Sequence, residues 1–339
     1  MNEQHPCRCS ILPVPEGSPR PLWSVMIPTY NCANYLRETL ASVLAQDPGA
    51  DVMQIEVIDD CSTKDDPRAV VEELGKGRVG FYQQPQNVGY IKNFETCLQR
   101  SHGRLVHLLH GDDRVLHGFY HKLQRGFEEH PEIGAAFCRH IFMDELGNWT
   151  GLSWLEQPDC GILNNWLERI AVQQRIQAPS IVVRREVYES LGAFDRRMTC
   201  WGEDWEMWVR IALHYPVWYE VEPLALYRKS STSLTGNSIR TGKNIQDFRQ
   251  AIDIVREYLP PEKANRLNQE VLKNYANYAL STAREFVRGN DLMAAKNQIR
   301  EALRCQSSIN TIYASLKLGV KALSLKGLSL FLQISTVDE

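Results

Sequence analysis

The stretch WSVMIPTYNCANYLRETLASVL, residues 23–44, decides the fold prediction. It opens with a short apolar run that Pro28 stops, which is typical of a buried strand. The polar residues TYN follow, and Asn31 or Asn34 is placed to cap a helix. The stretch therefore predicts a strand–turn–helix unit. Its helix presents apolar residues at i, i+4, i+7 and i+8, namely Leu36, Leu40, Val43 and Leu44.

The same unit recurs along the next part of the chain. The apolar segment MQIEVI (53–58) ends at the acidic DDCS, and RVGFYQQ (78–84) follows a helix predicted over residues 65–75. A further helix over residues 87–103 precedes the strand RLVHLL (104–109), which ends at HGDD. Strands that alternate with helices predict an α/β fold with a mostly parallel sheet and helices on both faces.

The chain divides into three predicted parts. Residues 1–22 hold five prolines and are expected to form a flexible leader. Residues 23–240 carry the alternating strands and helices of the predicted α/β domain. Residues 241–339 are nearly all helical in pattern, and we expect this C-terminal helical extension to contact the acceptor, a membrane surface or a second copy of the chain.

Composition places the chain among soluble globular proteins. Of its 339 residues, 43% are hydrophobic and 23% are charged, and a net charge of -3 excludes a generally basic, nucleic-acid-binding protein. Nine scattered cysteines form no disulfide framework, so free thiols in a reducing cytoplasm are expected. We find no signal peptide and no run of ~18 apolar residues, and we expect a soluble or peripheral protein.

Polar clusters stand at the ends of three predicted strands. They are PTYN (28–31), DDCS (59–62) and HGDD (110–113). Ligands of an open α/β sheet bind beyond the carboxyl ends of its strands. The three clusters therefore predict one binding site at that edge.

Two acidic pairs among these clusters suggest different chemistry. Asp112 and Asp113 supply hard oxygen ligands of the kind that hold Mg²⁺ or Mn²⁺ beside a diphosphate, and the alternative is an Asp-rich turn. Asp59 and Asp60 suit a hydrogen bond to a base or ribose. The alternative for this second pair is a helix cap, which would use Asp60 or Ser62.

Glu203 and Asp204 begin a predicted helix that is rich in tryptophan. A carboxylate in a partly apolar pocket has a raised pKa and suits a general base, whereas the alternative is acids that complement the helix dipole. Trp201 and Trp205 lie on one helical face. They are expected either to stack on a sugar of the acceptor or donor, or to pack in the core.

Two basic segments complete the candidates. LYRKSSTSLT (226–235) places Arg228 in a predicted loop, where its cation suits a diphosphate, with a solvated loop as the alternative. The tail 307–336 contains lysines but no acid. This suits a helix on an anionic membrane surface, or a helix packed on the protein body or on a second subunit. One face of that helix would carry Ile309, Tyr313, Leu316, Val320 and Leu323.

Taken in order, these segments resemble an inverting glycosyltransferase of family 2 with the GT-A fold, whose Rossmann-like sheet is flanked by helices. The residues beyond 235 match no pattern of the family. The matching segments are SVMIPTYNCANYLRETLASVLAQ, IEVIDDCSTKDD, QNVGYIKNFETCLQRSHG, LLHGDD, SIVVRREVYESLGAFD, GEDWEMWVRIA and LYRKSSTS.

The resemblance implies a nucleoside diphosphate sugar as donor, a UDP-sugar or dTDP-sugar with UDP first, and Mn²⁺ or Mg²⁺ as cofactor. Asp112 and Asp113 match the metal-binding motif, and Asp112 also belongs to the donor pocket. Asp204 matches the catalytic base, with Glu203 beside it. The donor pocket would further include Pro28, Tyr30, Asn31, Asp59 or Asp60, Asn87, Gly89 and Arg228.

One departure from the family stands in the metal motif. Many members read Asp-Ala-Asp-Asp where this chain has His110, Gly111, Asp112 and Asp113. The expected reaction is a single displacement in which Asp204 takes the proton of an acceptor hydroxyl and the anomeric configuration inverts.

The acceptor is expected to be a glycan or lipid-linked glycan of bacterial surface polysaccharide or lipopolysaccharide assembly. The expected location is the cytoplasm or the inner face of the cytoplasmic membrane. The alternative function is a non-catalytic protein of the same fold that binds a nucleotide or carbohydrate.

Overall fold

The computed structural model of the chain describes residues 7–230 and 234–335, with the backbone alone for 234–235 and 323–335. These residues form two compact units. The first contains the described residues up to Ile170, with Gln174–Arg197 and Glu203–Lys229. The second contains Ala171–Gln173, Met198–Gly202 and the described residues from Ser230 onward. The C-terminal part of the second unit thus starts at Ser230, eleven residues before the predicted start at residue 241.

The first unit begins with the predicted alternation of strands and helices. Strand β2 pairs in parallel with β1, β1 with β4, and β2 with β3. All residues of β1 are buried, as expected for a central parallel strand. These elements are β1 (Trp23–Thr29), α1 (Ala33–Leu44), β2 (Met53–Asp59), α2 (Pro67–Gly75), β3 (Gly80–Gln83), α3 (Tyr90–Arg100) and β4 (Leu105–Leu108).

The second half of this unit adds antiparallel pairs, so the sheet as a whole is mixed. Among the described residues, ten strands form one sheet in the order β3-β2-β1-β4-β9-β6-β10-β5, with β7 on β6 and β8 on β10. The predicted α/β fold is confirmed. The added elements are β5 (Arg114–Val115), α4 (Phe119–Glu129), β6 (Ala135–Met143), β7 (Trp149–Leu152), β8 (Gly161–Ile162), α5 (Trp166–Ile170), a 3₁₀ turn (Ala178–Ser180), β9 (Ile181–Arg184), α6 (Arg185–Leu191), α7 (Glu203–His214) and β10 (Val217–Arg228).

Helix α1 shows why the opening stretch folds as predicted. Leu36, Leu40 and Val43 are fully buried and join the core cluster that contains Val25 and Ile27 of β1. Burying each such side chain contributes roughly 1.5–3 kcal/mol. The apolar period of the helix therefore determines which face packs on the sheet.

The cap predicted for α1 is wrong. Neither Asn31 nor Asn34 caps the helix by a side-chain hydrogen bond. The free amide of Ala33 donates instead to Asp65 Oδ2 at 2.7 Å, from a loop 32 residues away. Helix α2 is capped by Asp66, which accepts from the Ala69 amide, so Asp60 and Ser62 are not its caps.

The predicted C-terminal helical extension is confirmed. Asp291 caps α11 by accepting from the Ala294 amide, and the Phe248 and Tyr275 rings stack at 4.0 Å between centroids. In the part of the chain that the structure describes, no helix combines the length and apolar content needed to cross a membrane. The helices are α8 (Leu234–Thr241), α9 (Lys243–Tyr258), α10 (Pro261–Arg288), α11 (Leu292–Cys305) and α12 (Ile309–Ser335).

Residues 7–12 of the predicted leader pack on the first unit. The amides of Ala193 and Arg196 donate to the carbonyls of Cys9 and Cys7 at 2.8 and 2.9 Å. Arg8 pairs with two fully buried acids on α7 and on the loop before it. These contacts contradict a flexible leader over residues 7–12, while residues 1–6 lie outside the described chain. The two acids are Asp195, at 3.4 Å, and Glu206, at 2.9 Å.

Candidate active site

The three polar clusters meet at the carboxyl edge of the parallel strands. The Gly111 amide donates to the Pro28 carbonyl at 3.1 Å, and the Asp60 amide donates to the Thr29 carbonyl at 2.9 Å. The Asn31 amide donates to Ser62 Oγ at 2.8 Å. Short bonds therefore join residues that lie up to 83 positions apart, because parallel strands end at one edge of the sheet.

Gly111 permits the loop after β4 to approach the end of β1. A Cβ atom at this position would lie 2.7 Å from Thr29 Cγ2 and 3.0 Å from Cys32 Sγ. Such distances are too short for carbon or sulfur contacts. A glycine is therefore required where the family motif carries alanine.

Asp59 is fully buried and holds the ends of its neighbours together. Its carboxylate accepts from Thr29 Oγ1, from the amide and hydroxyl of Ser62, and from Gln83 Nε2, at 2.5–3.3 Å. These donors come from β1, from the loop after β2 and from β3. The structure therefore gives Asp59 a positioning role, and its contact with a nucleotide stays a prediction.

Asp60 positions the loop that contains Asn87 and Gly89. Its carboxylate accepts from the amides of Val88 and Gly89 at 2.7 and 3.0 Å, and Asn87 Nδ2 donates to the Asp60 carbonyl at 3.2 Å. Gly89 has φ +86°, which a glycine adopts without strain. Burial raises the pKa of Asp60. Its contact with a base stays a prediction as well.

Tyr30 and Asn31 lie at the outer rim of this edge. Tyr30 is 48% exposed, so its ring is open to a ligand. Asn31 adopts φ +52°, and its Oδ1 accepts from the amides of Thr63 and Lys64 at 2.9 and 3.0 Å. Asn31 therefore fixes the loop after β2 beside Tyr30.

His110, Asp112 and Asp113 form a cluster that fits a metal ion. One ligand atom from each lies within 4.8 Å of the other two. Asp113 is 1% exposed, and its Oδ1 accepts from the Arg228 amide at 2.8 Å. Its Oδ2 and the buried Nε2 of His110 have no hydrogen-bond partner among the described residues. Buried polar atoms usually have partners, so these two fit a bound cation.

The structure contradicts the prediction that Arg228 contacts the donor diphosphate. Its side chain has no exposure and stacks on Tyr35, 4.3 Å from the ring centroid. Its nitrogens are engaged by the protein, because the end of β10 is buried against the loop after β4. Arg228 therefore positions this loop. Its hydrogen bonds go to the carbonyls of Asp112, Asp144 and Glu145 and to Glu38 Oε2, at 2.8–3.3 Å.

Asp204 has the environment of a general base. It is half-buried in the first turn of α7, where Oδ1 accepts from the Trp205 amide and Oδ2 from Gln174 Nε2, both at 2.7 Å. Burial raises the pKa of Asp204 from 3.8 to about 6. The neighbouring Glu203 Oε2 accepts from the Tyr90 hydroxyl at 3.3 Å.

Tyr227 and a narrow cleft connect the two acidic pairs. Burial raises the pKa of Tyr227, and the nearby charges of Asp113, Asp112, Asp204 and Glu203 raise it further. The cleft is apolar elsewhere, which explains the raised pKa of Asp204. Its walls include His110, Glu203, Asp204, Phe94, Tyr188, Phe194 and Trp208.

The structure removes one tryptophan from the stacking candidates. Trp205 is fully buried and donates from Nε1 to the Ile170 carbonyl at 2.7 Å, so neither ring face is open to a sugar. Trp201 is half-buried and packs on Phe248 at 5.8 Å between centroids. Its role in stacking stays a prediction.

Three site residues lack any sequence signal. Gln174 lies in a loop without a motif, whereas Tyr90 and Tyr227 lie in matched segments as an ordinary helix residue and an ordinary strand residue. Only the folded chain brings these side chains to the acids. These residues can be identified as site residues only when their contacts with the acids in the folded chain are known.

Comparison with known proteins agrees with this geometry. The sequence profile described as "Glycosyl transferase family 2" matches residues 24–231. The putative teichuronic acid biosynthesis glycosyltransferase TuaG of Bacillus subtilis (strain 168) is 26% identical over 239 residues. That alignment covers 66% of this chain and 85% of TuaG.

Two solved structures share the fold. S. aureus TarS 1-349 in complex with UDP-GlcNAc has a TM-score of 0.64 at 16% identity, covering 84% of this chain and 92% of its own. Mannosyltransferase PcManGT from Pyrobaculum calidifontis, in complex with GDP-Man and Mn²⁺, has a TM-score of 0.56 at 19% identity, covering 93% and 83%. Since the profile match spans more than half of the sequence, this chain belongs to glycosyl transferase family 2 and is a glycosyltransferase with the GT-A fold.

Proposed function

We propose that this glycosyltransferase moves a sugar from a nucleoside diphosphate donor to an acceptor hydroxyl, with inversion at the anomeric carbon. The observation that carries the proposal is the position of Asp204, which shares one cleft with His110 and faces Tyr227 together with Asp112. A general base that lines the same cleft as one member of the cation-binding cluster suits a single displacement. UDP-GlcNAc in TarS and GDP-Man in PcManGT support the donor class, with UDP as our first choice.

The chain's own residues perform the proton transfer. Gln174 and the Trp205 amide orient the Asp204 carboxylate, and a pKa of about 6 leaves it ionised near neutral pH. Asp204 takes the proton from the acceptor hydroxyl as that oxygen attacks the anomeric carbon. The bond to the diphosphate breaks in the same step. General base catalysis of this kind contributes about 10²–10⁴-fold.

Asp112 and Asp113 would hold a divalent cation, Mn²⁺ or Mg²⁺, beside the donor. The orphaned Asp113 Oδ2 and the half-buried Asp112 carboxylate fit this role. A cation bound there neutralises charge on the departing diphosphate. Mn²⁺ in PcManGT supports this cofactor class.

We place the nucleotide against the rim formed by Tyr30, Asn31, Asn87 and Gly89, with the buried Pro28 behind Tyr30. The exposed Tyr30 ring offers a face for a base, and the remaining residues shape the wall behind it. Asp59 and Asp60 support this wall from beneath through the bonds described above. A thermal-shift panel of UDP, GDP, dTDP and CMP with Mn²⁺ identifies the nucleotide.

The Asp204→Asn variant tests the mechanism. We expect nucleotide affinity, measured by calorimetry with Mn²⁺ present, to stay within about twofold, while sugar transfer falls by about 10²–10⁴-fold. Asp159→Asn, at an exposed loop position, is the matched control and should retain full transfer. Transfer by Asp204→Asn at a near wild-type rate would show that another group is the base.

We further propose a role in assembly of a bacterial surface polysaccharide, with a glycan or lipid-linked glycan as acceptor. The relative TuaG, a putative teichuronic acid biosynthesis glycosyltransferase, supports this role. The outward face of α12 supports a site of action at the cytoplasmic membrane surface. Its exposed apolar residues follow one helical stripe, at 85%, 68%, 64% and 68% exposure, namely Ile309, Tyr313, Leu316 and Val320.

The charges around this stripe favour an anionic membrane over a second copy of the chain. Lys317 and Lys321 are exposed next to the stripe, and residues 307–336 contain no acid. The opposite face of α12 is buried at Thr311, Ser315 and Leu318, and the helix packs on α10 and α11 of the same unit. An apolar face bordered by lysines is the pattern of a helix that lies in the membrane interface.

A further inference from the structure

His110 occupies the position where many family members carry the first acid of the metal motif. Its imidazole ring is stacked on Phe94, with centroids 5.0 Å apart and planes at 21°. Its Nε2 is buried and has no hydrogen-bond partner among the described residues. The ring orientation is therefore set by packing on Phe94, and Nε2 is left available to a ligand.

An imidazole nitrogen of His110 lies close to the carboxylates of the two acids. One ligand atom each from His110, Asp112 and Asp113 fall within 4.8 Å of one another. A divalent ion with bonds of about 2.1 Å spans about 4.2 Å between opposite ligands, so a shift of well under 1 Å closes the cluster on an ion. One face of the His110 ring thus packs on Phe94, while a nitrogen at the ring edge is placed for ligation.

Resting on the proposed function, we propose that His110 is a ligand of the divalent cation, through an imidazole nitrogen that replaces the missing carboxylate oxygen. One nitrogen and two carboxylates suit Mn²⁺ better than Mg²⁺, which prefers oxygen ligands alone. The replacement therefore biases the site toward Mn²⁺.

Pulsed electron paramagnetic resonance on the full-length protein with Mn²⁺ alone tests the ligand directly. We expect the ¹⁴N modulation of a coordinated imidazole in the wild type and its loss in His110→Asp, which retains an oxygen ligand. His110→Gln, a second variant with similar bulk, should also lose the modulation. The matched control is His121→Asp at an exposed position, which should keep it.

Calorimetric titration with Mn²⁺ and with Mg²⁺ measures the preference. The ratio of the Mg²⁺ Kd to the Mn²⁺ Kd should fall on the order of tenfold in His110→Asp relative to the wild type. Bound Mn²⁺ without nitrogen coupling, or no Mn²⁺ binding by the wild type, would overturn the proposal. The proposed reaction fails separately, if Asp204→Asn retains transfer while the nitrogen coupling is present.

Discussion

The four acidic side chains of the site differ in what their carboxylates still offer to a ligand. One oxygen of Asp113 is committed to the Arg228 amide, and the other has no partner among the described residues. Asp112 is half-buried, and its backbone carbonyl, not its carboxylate, binds Arg228. Glu203 and Asp204 each accept a hydrogen bond from a neutral side chain. Two adjacent acids thus suit the proposed cation, and the other pair contains the proposed general base.

The raised pKa of Asp204 predicts an acid limb in the pH profile. Because the base must be ionised, kcat/KM at saturating Mn²⁺ should be half-maximal near pH 6 and fall about tenfold per pH unit below it. Gln174 donates to the ionised form and so lowers this pKa. Gln174→Leu should move the limb upward by about one pH unit, as measured by initial rates between pH 4.5 and 8.

Gln246→Leu, at an exposed position on α9, is the control and should leave the limb in place. An unmoved limb in Gln174→Leu would assign the titration to another group.

The raised pKa of Asp204 affects folding stability in the opposite sense to activity, because stability falls as pH rises. A carboxyl whose folded pKa is raised stabilises the fold fully below pH 3.8 and loses this contribution as pH rises through about 6. Asp204→Asn should therefore be no less stable than the wild type at pH 8.

The site residues lie at the ends of strands and helices. The carboxyl ends of β1, β2 and β4 deliver the three polar clusters, and the end of β10 delivers Arg228 to the loop after β4. Helix α7 presents its first turn, which contains Asp204, to the cleft. Helix α12 differs because its proposed membrane contact lies along one face of the helix and not at an end.

The exposed face of α12 predicts binding to anionic vesicles. Wild-type protein should cosediment with vesicles that contain phosphatidylglycerol and release as salt is raised, because lysine attraction is screened. Leu316→Gln with Val320→Gln should lower the partition coefficient at least about tenfold, since buried apolar area is lost. Leu12→Gln, at another exposed leucine, should leave it unchanged.

The competing occupant of this face is a second copy of the chain. Sedimentation velocity distinguishes the two. A dimer that the α12 variant dissociates, together with no vesicle binding by the wild type, would assign the face to self-association.

At the scale of the whole molecule, the N-terminal segment ties distant parts of the first unit together. Arg8 pairs with Asp195 and with Glu206, which lies 198 residues away and two positions after Asp204. Glu206 also pairs with the buried Arg210, and Asp195 with Arg197. Each acid therefore keeps one cation if Arg8 is removed.

Arg8→Met should lower the free energy of unfolding by about 1–3 kcal/mol. The estimate lies below the cost of leaving a buried charge wholly unpaired because Arg197 and Arg210 remain. The urea midpoint of the first unit's transition measures it. Arg20→Met, at an exposed position, should change it by less than about 0.5 kcal/mol. Equal midpoints for both variants would show that Arg8 does not anchor the segment.

The sequence by itself determined the alternation of elements, the polar clusters at strand ends, the acidic pairs and the helical extension. These follow from local period and turn chemistry, which neighbouring residues encode. Cap choice was predictable only as a residue type, since Asp65 comes to Ala33 from another loop.

Only the tertiary structure decided the roles that depend on distant partners. Arg228 looks like a ligand-binding loop cation in sequence, yet it is buried and bonded to residues 83–190 positions away. The raised pKa of Asp204, the orphaned nitrogen of His110 and the open face of α12 likewise depend on what packs around each side chain. Burial and hydrogen-bond partners are properties of the folded chain, because they are set by contacts between residues that the sequence keeps far apart.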